Sequence, residues 1–435
     1  RRGTDTHRCT VCSAVSRLYT IFPPLIIVRN QTAMKTTLNL LLFCLAGTFA
    51  SCGASSENTP VRPQEMATSG QQSGVPQSAP PQVYIYVTEV DKLNLREQPS
   101  KSAKVIAQLA AGDLVEGTGE ISTNKEEATL RGIPYYEPYI KVAATTGAAA
   151  SGWAYGGALK PVYAGPTNIR PDLERVRALS KFLSTLDTKQ LENGSKAIGY
   201  VSSNFSSASG SLADAAFLLL EHFLFRMETE GNLYDVLGAT AWSEQDISDI
   251  YEDRFNMNKY PVTKKMAENG FRLATGEGMV FPVTDWVKLA EIFETRVTPP
   301  MKEYIMENMA ERRESGFEDG GITIGLDKLA ERAIFWENFN DRNPYFVRAA
   351  ETAESERWLT LVLLNGSDNT PAYDFETKAA NDDFKNNWNL IIQKYPGSAL
   401  ATNVKALMDV YAANGWKRTP KVEEFLSKFS QTEGE

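Results

Sequence analysis

The chain has 435 residues, 45 Lys and Arg against 54 Asp and Glu, and a formal net charge of −9. Its 42% hydrophobic content suffices for at least one buried core and excludes disorder throughout, while the acidic balance argues against nucleic acid as a partner, since a phosphate backbone needs a basic face. Two His and four Cys remove most metal sites and most nucleophile–base pairs before any motif is read.

Residues 1–33 read as an upstream extension outside the native chain, because a secretory pattern starts only at Met34. Cys9 and Cys12 beside His7 lack the second ligand pair that a zinc site needs. From Met34, one cation at Lys35, an apolar run from Leu38 to Ala46 and small residues up to Ser51 have the order of a signal peptide, 34–51. The run is too short to span a bilayer. Cys44 lies inside it and acts as a small hydrophobe. Phe49-Ala50-Ser51-Cys52 resembles the lipobox of bacterial lipoproteins, with Phe49 where the family has an aliphatic residue. The resemblance implies that Cys52 is acylated, becomes the mature N-terminus and anchors an exported protein to a membrane of the cell envelope. Cleavage after Ala50 is the alternative, and it leaves Cys52 as a free thiol. Residues 52–82 then form a disordered linker: five Pro, five Ser, five Gln and three Gly in 53–82 cannot bury enough to order themselves.

At Val83 the pattern changes. Val83, Ile85 and Val87 alternate with Tyr84, Tyr86 and Thr88, and short apolar strands follow around Leu93–Leu95, Val105–Leu109, Leu114–Val115, Tyr139–Val142 and Trp153–Tyr155. Leu93-Asn94-Leu95-Arg96, Pro99-Ser100, Lys104-Val105-Ile106, Gly112, Tyr139-Ile140-Lys141-Val142 and Gly152-Trp153-Ala154 resemble the bacterial SH3-like domain over 83–165. That resemblance implies a small all-β barrel and a binding role. Residues 116–134 read as an unusually long loop with Asn124–Glu127 at its polar tip. Tyr84, Tyr86, Tyr135, Tyr136, Tyr139, Trp153 and Tyr155 are the candidate binding residues, because tyrosine joins flat apolar area to a hydroxyl.

From Pro171 the apolar period lengthens, and residues 170–435 read as a mainly α-helical domain. Leu173, Val176, Leu179, Leu183 and Leu186 share a helical face after Pro171-Asp172, and Ser211 to Phe225 form an apolar core helix. His222 lies on that helix and reads as a satisfied core histidine. A short β hairpin is expected at 271–275 and 279–283 across Gly276-Glu277-Gly278. Asp285-Trp286 and Thr298-Pro299-Pro300 open further helices. Glu318-Asp319-Gly320-Gly321 lacks the ligand spacing of a calcium loop. Trp336 precedes Pro344, and Trp388 precedes Pro396, by the same interval, and Tyr395-Pro396-Gly397-Ser398 is similar to the turns of tetratricopeptide-like repeats. Residues 371–383 read as an inserted loop.

These readings converge on a lipid-anchored envelope binding or scaffold protein, without cofactor or metal, whose partners are peptidoglycan or an envelope protein. Cysteine–histidine and zinc hydrolase chemistry lack their residues, and no G-x-S-x-G elbow supports a serine nucleophile. The alternative is a carboxylate-dependent cell-wall glycoside hydrolase or its regulator, needing only two acids such as Glu277 and Asp285.

Overall fold

The computed structural model describes residues 82–145, 151–238, 240–276 and 278–430. The signal peptide, Cys9, Cys12, Cys44, Cys52 and the linker therefore lie outside the described residues. No helix among the described residues is long and apolar enough to cross a membrane.

Seven strands come first: β1 (Gln82–Thr88), β2 (Leu93–Arg96), β3 (Val105–Leu109), β4 (Leu114–Leu130), β5 (Ile133–Ala144), β6 (Ser151–Tyr155) and β7 (Leu159–Pro166). They form one antiparallel sheet in the order β3-β2-β6-β5-β4-β1-β7. The sheet does not close into the expected barrel, because its end strands β3 and β7 remain unpaired with each other. Closure is blocked by a different use of the apolar face. Val83, Ile85 and Val87 of β1, with Val162 and Tyr163 of β7, enter the core shared with the helices. A second, smaller core lies within the sheet and contains Leu95, Val115, Tyr139, Val142 and Tyr155.

The expected loop at 116–134 is instead the greater part of a long hairpin. β4 and β5 pair from Val115↔Ala144 to Leu130↔Ile133, with register shifts between Gly117 and Ile121 and between Ile121 and Lys125. Asn124–Glu127 sit within β4 rather than at a tip. The tip is Arg131-Gly132, where both residues have positive φ (50° and 85°), as a two-residue hairpin turn with the twist of its strands requires.

Thirteen α-helices follow among the described residues: α1 (Leu173–Ser184), α2 (Asn193–Asn204), α3 (Ser211–Glu230), α4 (Leu233–Leu237), α5 (Glu244–Tyr251), α6 (Pro261–Glu268), α7 (Trp286–Phe293), α8 (Pro299–Arg313), α9 (Leu326–Arg342), α10 (Ala349–Asn365), α11 (Asp382–Lys394), α12 (Ala399–Ala413) and α13 (Pro420–Ser430). Their starts follow from local chemistry. Asp172 accepts from the Glu174 and Arg175 amides to cap α1, and Asp285 does the same for α7 through Val287 and Lys288. Pro299 at the first turn of α8 lacks only an N–H that the helix would leave unpaired. The short hairpin is present as β8 (Phe271–Gly276) and β9 (Met279–Thr284), and β10 (Phe317–Glu318) pairs with β11 (Gly321–Ile322).

Helix α3 is the pillar of the helical part. Ala215, Ala216, Phe217, Leu218 and Leu220 along it are buried, and it packs against β7 on one side and β9 on another. The two tryptophans of the late regularity are both buried, Trp336 on α9 and Trp388 on α11. Their indole N–H groups donate to Glu311 Oε1 at 3.0 Å and to the Leu363 carbonyl at 2.8 Å. Each leads through a short turn to the next helix, α10 or α12, so the two stretches are helix–turn–helix pairs.

Candidate binding groove and the charged junction

β5 and β6 place Tyr139 directly opposite Tyr155, with ring centroids 5.6 Å apart in an edge-to-face arrangement. The two tyrosines are buried in the second core and lie beneath an open groove of about 480 Å³. One wall comes from the β1–β2 connection, β2 and the loop beyond it, with Lys92, Arg96 and Lys101; the other comes from the end of β4, with Thr129 and Leu130, and Arg131 at its turn. The volume lies within the range of small-ligand pockets.

Hydrogen bonds fix both tyrosines against β4 and β5. Tyr139 Oη donates to Glu126 Oε2 at 3.2 Å, and Tyr155 Oη donates to the Glu126 carbonyl at 2.7 Å while accepting from the Glu137 amide at 3.1 Å. Burial and the Glu126 carboxylate push the Tyr139 phenol up to about 12. Glu126 also accepts from the Lys101 amide at 3.0 Å, which ties the two walls together.

The seven aromatic candidates are thus divided. Tyr139 and Tyr155 meet beneath the groove. Trp153 shares the Tyr155 face of β6, half-buried, with the Lys141 ammonium 5.8 Å from its ring centroid, but it is not part of the groove lining. Tyr84 and Tyr86 flank Gly117, where an added Cβ would come within 2.8 Å of the Tyr86 ring. Tyr135 packs on the second core, and Tyr136, on the opposite face of β5, is exposed. The groove cations Lys92, Arg96, Lys101 and Arg131 escape sequence reasoning. The only available signal was the glycine of the Arg131-Gly132 turn.

Arg131 belongs to a second constellation as well. Its Nε lies 2.6 Å from Glu230 Oε1 at the end of α3, and its Nη2 lies 3.4 Å from Glu89 Oε2 just beyond β1. Glu89 also meets His222 Nε2 of α3. Burial opposes ionisation of Glu89, but His222, Lys160 and Arg131 outweigh it and hold the carboxyl well below the usual range. His222 is therefore half-buried at the seam between sheet and helices with an acid partner, rather than enclosed in apolar core. Next along α3, buried Glu221 accepts from Arg348 Nη2 at 2.5 Å, and Arg348 Nη1 donates to Tyr304 Oη at 2.9 Å. Lys160 of β7 reaches Glu351 at 3.4 Å. These groups enclose a cavity of about 40 Å³, room for only a few water-sized groups.

Asp285 is engaged as the α7 cap, and Glu277 lies outside the described residues. No group of three or more His, Cys, Asp or Glu placed to hold a metal occurs among the described residues. Comparison of the chain with protein-family models, with curated proteins and with solved structures finds no match.

Proposed function

We propose that this chain is a lipid-anchored binding or scaffold protein of the cell envelope. Its sheet region acts as an SH3-like module that receives a peptide or cell-wall glycopeptide, and its helices form the scaffold. The observation that carries this reading is the groove itself: an open concavity over two buried tyrosines, with cations on both walls. The junction cavity is the wrong kind of space for a polymer. It is small, and its charges already neutralise one another.

The test is co-sedimentation of the purified protein with peptidoglycan, followed by assay of the supernatant for released muropeptides. Binding without release is expected. Release would overturn the reading in favour of a hydrolase. Thr129→Trp, at an exposed strand position on the groove wall, is expected to reduce binding at least about tenfold by occupying the groove; unchanged binding would move the site elsewhere. The anchor is tested separately, since Cys52→Ser is expected to move the protein from the membrane fraction to the soluble one.

A further inference from the structure

The chemistry of the groove walls narrows the ligand, an inference that rests on reading the groove as a peptide site. In a chain of net charge −9, the groove lining carries Lys92, Arg96, Lys101 and Arg131 against Asp91 alone. The acids near these cations are already in use. Asp91 Oδ1 accepts from the Ala111 amide at 3.1 Å, and the Glu126 carboxylate accepts from the Lys101 amide and the Tyr139 hydroxyl. Arg131 is engaged by Glu89 and Glu230. Arg96 is differently placed: its Nη1 donates to the Ala103 carbonyl at 2.6 Å, and no other guanidinium hydrogen bond is described for it. A guanidinium with spare N–H groups matches a carboxylate in two-pronged fashion. Beneath the cations the lining turns apolar, with half-buried Val90 and Leu130 over Tyr139 and Tyr155, whose hydroxyls are taken up by Glu126 and whose side chains are buried.

We propose that the groove selects an extended peptide bearing carboxylates, its anionic group held by Arg96 and Lys101 and its apolar side chains lying against Val90 and Leu130. Walls built largely from strands β2 and β4 suit an extended backbone.

The experiment uses the full chain and three labelled, N-acetylated hexapeptides that share alternating leucine and phenylalanine and differ only in having glutamate, glutamine or lysine between them. Affinity is read by fluorescence anisotropy. The glutamate peptide is expected to bind about tenfold more tightly than the glutamine peptide, the scale of one charge-assisted hydrogen bond, with the lysine peptide weakest. The preference is expected to shrink below about threefold in Arg96→Gln/Lys101→Gln and in about 0.5 M salt. Lys101→Gln alone, at an exposed side chain, gives an intermediate preference should the double variant lose its circular-dichroism signature. Equal binding of the glutamate and glutamine peptides, still abolished by Thr129→Trp, overturns the carboxylate preference and leaves the groove reading intact. Absence of any binding sensitive to Thr129→Trp overturns both.

Discussion

The junction and the groove are built from the same residue types, Arg, Glu and Tyr, and put them to opposite uses. At the junction Arg348 and Glu221 are both buried, they face each other at 2.5 Å, and the space beside them is about 40 Å³. In the groove the cations line about 480 Å³ of open space and the tyrosine hydroxyls are taken up by Glu126. Buried charges that satisfy one another hold two parts of a fold in register, and removal of either partner strands the other in a poor solvent. Charges on an open wall cost the fold little and remain available to a ligand. Arg131 stands in both regions, which makes the tip of the β4–β5 hairpin the physical link between groove and helices.

The contrast is broken most severely at Glu221. Glu221→Gln removes the closer of the two carboxylates that pair with the buried Arg348 guanidinium, leaving only Glu351 at 3.3 Å, and is expected to cost about 3 kcal/mol, a large fraction of a typical domain's stability, measured by urea unfolding. A loss below about 1 kcal/mol would show that the junction pair does not hold the fold together. Arg131→Ala removes the link to Glu230 and Glu89 and places alanine at φ 50°. A loss of about 1–3 kcal/mol is expected. Arg131→Gly should lose less, because glycine accepts that backbone conformation, and the difference between the two variants measures the strain.

A third prediction concerns pH. Burial raises Glu307 to about 7 and Asp214 to about 6, with Glu311 adding repulsion at Glu307. Both are raised above their unfolded values, so their contribution to stability is complete below about pH 4 and is lost as pH rises through 6 to 7. Glu89, Glu230 and Glu221 are lowered by their cationic partners, so their contribution is present above about pH 4 and is lost as pH falls through their folded values. Stability should therefore peak in mildly acid solution. Glu307→Gln should flatten the decline between pH 6 and pH 8, and an unchanged slope would assign the decline to other groups. The smallest effect belongs to the groove: Lys101→Gln should alter stability by less than about 0.5 kcal/mol while changing ligand preference, the converse of the junction variants.

Much of the fold was legible along the chain, and the failures have a common cause. Val83, Ile85 and Val87 alternate because one face of β1 is buried, and Phe271–Gly276 with Met279–Thr284 show the same pattern around a glycine turn. Residues Glu116–Leu130 form a strand with water on much of both faces, so no apolar period marks them and they read as a loop. The groove was half visible. Tyr139 and Tyr155 stood out by type, but Arg96 and Arg131 have no distinguishing spacing, and their meeting depends on the curl of a sheet whose strand order departs from chain order.

Local patterning by itself determined the change from strands to helices near residue 170 and the helix starts at Asp172 and Asp285, because each depends on neighbours a few residues away. Tertiary structure alone decided that the sheet stays open against α3, that seven aromatics separate into a buried pair beneath the groove and scattered faces, and that Glu221 finds Arg348 127 positions away. Those outcomes are set by which apolar faces bury together and which charges must then be paired, and a linear pattern does not carry the distance between residues that only packing brings into contact.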